Sequence, residues 1–106
     1  LYHGLPTAYA AERTLAVLVK PKWGFLNQAL PRGVDVANKA GWSHGIRCDA
    51  GIVLQPRHPY ALAIMLNYGL GAPEQLDAAM VGLARTVHQR MSQIAETNAF
   101  GHAVFA

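Results

Sequence analysis

The stretch Asn38-Lys39-Ala40-Gly41-Trp42-Ser43-His44-Gly45-Ile46-Arg47 holds two overlapping patterns that need different surroundings. Gly41-Trp42-Ser43-His44-Gly45 matches G-x-S-x-G, which sets a serine on a sharp turn between a strand and a helix so that its oxygen stands clear of the sheet. Lys39-Ala40-Gly41 is a variant of K-T-G, in which a lysine on an edge strand faces a cleft and the glycine two residues on lets a substrate backbone lie against the strand. The flanking residues weigh between them. Ahead of the stretch, Val34-Asp35-Val36-Ala37-Asn38-Lys39 alternates apolar and polar side chains, as a strand with one buried face does, and Gly41 closes it. Behind it, Ile46 to Leu54 has the composition of a strand, and Ala50-Gly51-Ile52-Val53-Leu54, apolar on both faces, reads as central in its sheet. A turn between two strands suits the lysine pattern, whereas the serine elbow needs a helix after it. Ser43, Asp77 and His88 do follow the order of a Ser-Asp-His triad. Asp77 and His88, however, fall on one continuous helical pattern, about 16 Å apart along its axis at 1.5 Å per residue.

Outward from this hairpin, Gln55-Pro56-Arg57-His58-Pro59 is a turn, and Tyr60 to Leu66 is a third apolar strand, antiparallel to the second. Asn67-Tyr68-Gly69-Leu70-Gly71 leads into a long helix. Pro73 suits its first position, Glu74 and Asp77 favour the positive end of its dipole, and Leu76, Met80, Leu83, Val87, Met91 and Ile94 form one apolar stripe. Met65, Met80 and Met91 read as packing residues. Towards the N-terminus, Thr7 can cap a helix whose apolar face is Tyr9, Ala11, Leu15, Leu18 and Val19, ended by Pro21. A short helical turn follows over Trp23 to Leu30, broken by Pro31-Arg32-Gly33. The expected architecture is α+β, a three-stranded antiparallel sheet flanked by an N-terminal helix and a long C-terminal helix. Residues 1–106 form a single partial domain, with a helical segment at 7–30, three strands at 34–66, a closing helix at 73–95 and a tail at 96–106.

Composition narrows the classes of function. A chain of 106 residues, 52% hydrophobic, builds one small core and not two domains. Its 14% of charged residues lies below the usual quarter or so, which points to a surface covered by something else. The net charge of +3 comes from scattered lysines and arginines with no basic run, so no nucleic-acid partner is expected. Cys48 is a single cysteine, placed mid-strand, and His3, His58, His88 and His102 lack ligand spacing; neither a metal nor another cofactor is expected. Apolar runs such as Ala61 to Leu66 are far shorter than the ~18 residues of a membrane span, so no membrane partner is expected either. The start at Leu1, with no basic-then-apolar leader, is expected to be a processed end or the edge of a fragment.

Four segments taken together carry a family resemblance. Val36-Ala37-Asn38-Lys39-Ala40-Gly41-Trp42, Gly45-Ile46-Arg47-Cys48-Asp49-Ala50-Gly51-Ile52-Val53, Pro59-Tyr60-Ala61-Leu62-Ala63-Ile64 and the Pro73-to-Ile94 helix resemble the C-terminal portion of class A β-lactamase-like serine hydrolases. In that family a V-A-x-K-[ST]-G strand leads through a short turn into an x-D-x-G-I-V strand, a third strand and the closing helix. The helix from Thr7 and Leu30-Pro31-Arg32-Gly33 look like the segment before the lysine motif, so the resemblance spans roughly residues 7 to 94.

The resemblance implies that Lys39 acts electrostatically on the substrate carboxylate and on the proton network of the serine, and that the Trp42 backbone N–H forms part of an oxyanion hole. Ala40, Gly41 and Ser43 would border the substrate, a β-lactam or a related acyl compound. Ala40 departs from the pattern, because a Thr or Ser there offers a hydroxyl to that carboxylate. The nucleophile is also missing: the two serines, Ser43 and Ser92, are followed three residues later by Ile46 and Ala95, and neither makes S-x-x-K. S-D-N is absent too, as is a glutamate followed four residues on by asparagine. The expectation is the C-terminal half of the fold, inactive alone, whose partner is the N-terminal half of the domain or a second copy, and whose location is periplasmic or secreted. The alternatives are a non-catalytic binding or assembly module on the same fold, and an esterase using Ser43. Asp49 is expected to make a structural hydrogen bond in or beside its strand.

Overall fold

His44 and Gly45 alone join the first two strands, and Gly45 takes the left-handed conformation (φ 70°) that closes so short a loop without strain. The computed structural model describes residues 7–67 and 72–96. Within them the order is α1 (Ala8–Leu18), α2 (Phe25–Ala29), β1 (Val36–Ser43), β2 (Ile46–Val53), β3 (Tyr60–Asn67) and α3 (Pro73–Ala95). The strands form one antiparallel sheet in the order β1-β2-β3, with β2 central as its two-sided apolar composition implied. The expected segment at 68–71 and the tail beyond Glu96 lie outside the described residues.

Several boundaries shift by one or two residues from the expected ones, β1 starting at Val36, β2 ending at Val53, β3 at Asn67 and α2 covering only Phe25–Ala29, and one shift bears on the site. β1 does not close at Gly41 but continues through Trp42 to Ser43. Gly41 pairs with Cys48, and a Cβ there would sit 3.0 Å from the Cys48 sulfur, so the glycine serves close packing within the ladder rather than its end.

Directly opposed residues share a face of the sheet. Val36, Asn38, Ala40 and Trp42 of β1 therefore line up with Val53, Gly51, Asp49 and Arg47 of β2 and with Tyr60, Leu62, Ile64 and Leu66 of β3. This face carries the core: Phe25, Leu26 and Ala29 of α2 pack with Val36, Ala40, Val53, Tyr60 and Ile64, and with Met80 and Ala84 of α3. The other face holds Lys39, Gly41, Ala50, Cys48, Ala63 and Met65.

Thr7 caps α1 as expected, its hydroxyl accepting the Ala10 N–H at 3.0 Å. The expected apolar stripe of α1 is only partly covered: Ala11 is buried, while Tyr9 is 71% exposed. In α3 Met80, Val87 and Met91 of the expected stripe meet the core, but the most buried positions are shifted from it. Met80, Ala84 and His88, four residues apart, are buried, whereas Leu83 and Ile94 are exposed. Ala84 has no bulk to hold the helix off the sheet, and His88 brings its own polar partners, so both face inward despite scoring low as hydrophobes.

Those partners couple α3 to β3. The Tyr60 hydroxyl lies 2.7 Å from His88 Nδ1, and the Ser92 hydroxyl 3.3 Å from His88 Nε2. Burial lowers the pKa of His88 below its ordinary 6.5 and raises that of Tyr60. The folded chain thus binds a proton at His88 less readily than the unfolded one. The stability this gives is fully present above pH 6.5 and is lost as pH falls through the lower folded value. The unfolding free energy measured in urea is expected to decline as pH falls below 6.5, with a slope of up to about 1.4 kcal/mol per pH unit, and His88→Gln should flatten that part of the curve. An unchanged slope in the variant would place the pH sensitivity elsewhere.

Candidate functional site

The Leu54 N–H donates to the Asp35 carbonyl at 2.8 Å, just beyond the last β1–β2 pair, and this fixes the phase of the ladder. Alternate pairs exchange hydrogen bonds in an antiparallel ladder, so Ala37, Lys39, Gly41 and Ser43 turn their backbone groups towards β2. Asn38, Ala40 and Trp42 turn theirs the other way, to the edge of β1 that no described strand pairs with. The Trp42 N–H is thereby presented at an open edge. The Lys39 ammonium lies over the same edge, donating to the Ala40 carbonyl.

Side chains alternate with the backbone. Lys39 is exposed on the face opposite the core, with Gly41 half-buried beside it. Ala40 points inward and is buried in the core, so the site gets only its backbone groups. Ser43 is exposed at the mouth of the hairpin, and its carbonyl accepts a hydrogen bond from Arg47 Nη1 at 2.9 Å. The residue after its turn begins β2, not a helix. Asp77 is paired with Arg47, which also donates to the Ser43 carbonyl, whereas His88 is held apart from both by Tyr60 and Ser92.

Asp49, 1% exposed, is structural, and it does more than the expected bond beside its strand. Its carboxylate accepts the Leu26 N–H at 2.9 Å and the Asn38 amide at 3.0 Å, while that amide also donates to Asn27 at 2.8 Å. Gly24, at the N-cap of α2, has no side chain to offer, so a strand carboxylate caps the helix from outside.

Two neighbours of the site went unnoticed in the sequence, both on the connector between α1 and α2. Lys22 donates to the carbonyls of Leu18 and Lys20. Its pKa is lowered chiefly by burial; Asp49 draws it back up and the positive charge of Lys39 pushes it down, so the two ammonium groups feel one another. Trp23 packs edge-to-face on Trp42, centroids 5.0 Å apart at 76°, and on Phe25 at 4.9 Å. The available signal was two lysines and a tryptophan crowded into Lys20-Pro21-Lys22-Trp23 in a chain sparing of charge. A connector has no periodicity to say which way they point.

An edge N–H flanked by ammonium groups can bind an oxyanion or a carboxylate. The sequence profile of the Beta-lactamase enzyme family matches residues 5–91. Among solved structures, PBP-A superposes with a TM-score of 0.70 at 23% identity, over 81% of this chain and 33% of its own. The class A β-lactamase of the last common ancestor of Gram-negative bacteria gives 0.72 at 25% identity, over 79% and 34%. A variant of that ancestor, bound to the transition-state analogue 5(6)-nitrobenzotriazole, gives 0.72 at 27%, over 79% and 33%. No curated protein matches the chain. The chain spans about a third of the length of the solved proteins it resembles. With the family profile matched over most of its length and the sheet and closing helix of the same fold, the chain belongs to the β-lactamase enzyme family.

Proposed function

We propose that this chain supplies the lysine-bearing wall and part of the oxyanion hole of an acyl-serine hydrolase, and that the serine comes from polypeptide outside the sequence. The observation that carries the reading is the Trp42 N–H at the open edge of β1 with Lys39 beside it. A substrate acyl oxygen at that N–H gains the stabilisation of a fixed donor as negative charge develops, and Lys39, with Lys22 near, suits a substrate carboxylate. The sequence offers no S-x-x-K serine for the attack. A related protein gives the substrate class: a mutant of PBP-A was solved as an acyl-enzyme complex with penicillin G.

The face of the sheet opposite the core is open over β2 and β3, and this supports the same reading. Ala50, Ile52, Ala61 and Ala63 border a shallow apolar hollow of about 510 Å³, and Met65 nearby is 77% exposed. Apolar surface of this kind is what the rest of a domain covers.

The test is complementation. The chain alone is expected to show no turnover of a chromogenic cephalosporin. Mixing it with the N-terminal two thirds of a family member carrying S-x-x-K should restore acylation of that serine. Lys39→Ala should then slow acylation by about 10²–10³-fold, the scale of losing one fixed electrostatic contact to the transition state. Turnover by the chain alone that survives Lys39→Ala and disappears in Ser43→Ala would reject the proposal in favour of the serine elbow. A monodisperse oligomer that never restores acylation would favour a binding module.

A further inference from the structure

The hydrogen bonds of the sheet do not hold the Trp42 peptide directly. Gly41 and Ser43, on either side, turn their backbone groups to β2, whereas the Trp42 N–H and carbonyl point to the edge that no described strand pairs with. A donor meant for an oxyanion has to be free of the ladder in this way, and its direction then needs another restraint.

A chain of three rings supplies one. The Trp23 indole meets that of Trp42 edge-to-face, with centroids 5.0 Å apart at 76°, and meets Phe25 in the same manner at 4.9 Å and 70°. Phe25 is fully buried in the core, and the next residue, Leu26, is fixed through its N–H by the Asp49 carboxylate. Contact therefore runs without a break from the core to the end of β1, with Trp23 as the middle member. Trp23 and Trp42 are 52% and 61% exposed, so the area they bury is a weak reason for placing two tryptophans here.

We infer that Trp23 is a positioning residue of the oxyanion site, which acts through the Trp42 indole to fix where the Trp42 N–H points; the inference rests on the hydrolase reading. An edge-to-face pair has a preferred distance and angle, so it restrains the side-chain torsions of both rings and, with them, the strand end that carries one ring. A donor serves the transition state only at about 2.7–3.1 Å from the developing oxyanion, and an error of about 1 Å can cost roughly 10²-fold in rate. The contact strengthens as charge develops on the acyl oxygen. Its loss therefore falls on the acylation step and not on the binding of substrate.

The full 106-residue chain would be compared with its Trp23→Ala, Trp23→Leu and Trp23→Phe variants, with circular dichroism confirming that each is folded. Trp23→Leu keeps apolar bulk without a ring, and it decides the matter if the alanine variant unfolds. In the chain alone, NMR relaxation of the Trp42 amide is expected to give an order parameter of about 0.85, falling below about 0.6 in the two variants without a ring. The Val53 amide, in the core, should not change, and Trp23→Phe should restore order at Trp42. In the complemented assembly, single-turnover kinetics should show acylation slowed by about tenfold or more in the variants without a ring, with the substrate dissociation constant kept within about twofold. Trp23→Phe should acylate at close to the parent rate. Retained order at Trp42 in the variants without a ring overturns the inference and leaves the hydrolase reading standing. So does acylation at the parent rate in those variants while Lys39→Ala still slows it, or a slowing that comes wholly from weaker substrate binding. An assembly that the parent chain never activates overturns the hydrolase reading, and this inference with it.

Discussion

Replacing Asp49 by alanine is expected to cost the folded chain about 3–5 kcal/mol, a large part of the roughly 5–15 kcal/mol that holds a domain together. The carboxylate is buried, and it is the point at which β2 grips both β1 and α2. Its loss leaves the Leu26 N–H, which has no acceptor within its own helix, unmatched, and removes two of the three acceptors of the Asn38 amide. The isosteric Asp49→Asn change should be nearly as harmful, because its new N–H₂ faces donors. Asp35→Ala, at an exposed side chain, is the control and should stay within about 0.5 kcal/mol. Urea unfolding followed by circular dichroism measures all three, and a loss below 1 kcal/mol for Asp49→Ala would mean that water replaces the carboxylate. The Asp49 charge also holds up the pKa of Lys22, so its removal should lower the lysine's pKa further and disturb the ammonium pair beside the β1 edge.

That network marks where a linear reading stops. The strands were legible because alternation and β-branched runs are local, and the bounds at Ile46, Tyr60 and Pro73 agree with the structure to the residue. The strand position of Lys39, the turn at Gly45 and a structural role for Asp49 were legible for the same reason. The partner of Asp49 was not: Leu26 lies 23 positions away, and only the docking of α2 on the sheet brings its N–H to the carboxylate. The buried stripe of α3 was right at Met80, Val87 and Met91 and wrong at Leu83 and Ile94, because counting hydrophobes ranks Leu83 above Ala84 and never selects His88, whereas packing favours the small residue and the satisfied polar one. Lys22 and Trp23 escaped because their direction is set by what the connector packs on. Ala40 stood out as a missing hydroxyl, and its place in the core gives the alanine a packing role independent of any substrate.

Gly51→Ala carries the second large effect, and it links the fold to the site. A Cβ at Gly51 would lie 2.4 Å from the Ala37 carbonyl oxygen and 2.6 and 2.7 Å from Cβ and Cα of Asn38. These atoms belong to the backbone of the paired strand or are fixed to it, so no rotamer change relieves the clash and the strands must part. The expected cost is about 3 kcal/mol or more, at the upper end for an overpacked interior. Gly82→Ala is the matched control: nothing lies within 4 Å of its Cβ position on α3, and it should raise stability by roughly 0.5–1 kcal/mol through helix propensity. A Gly51 variant as stable as its parent would mean that the sheet is far more plastic than the close approach implies. The residue opposite Gly51 is Asn38, and the next pair is Lys39 with Ala50. Parting the strands there shifts the lysine and the edge N–H of Trp42 together, and oxyanion donors work only at about 2.7–3.1 Å. In the complemented assembly, Gly51→Ala should therefore slow acylation even at temperatures where the variant remains folded, whereas Gly82→Ala should leave the rate as it was.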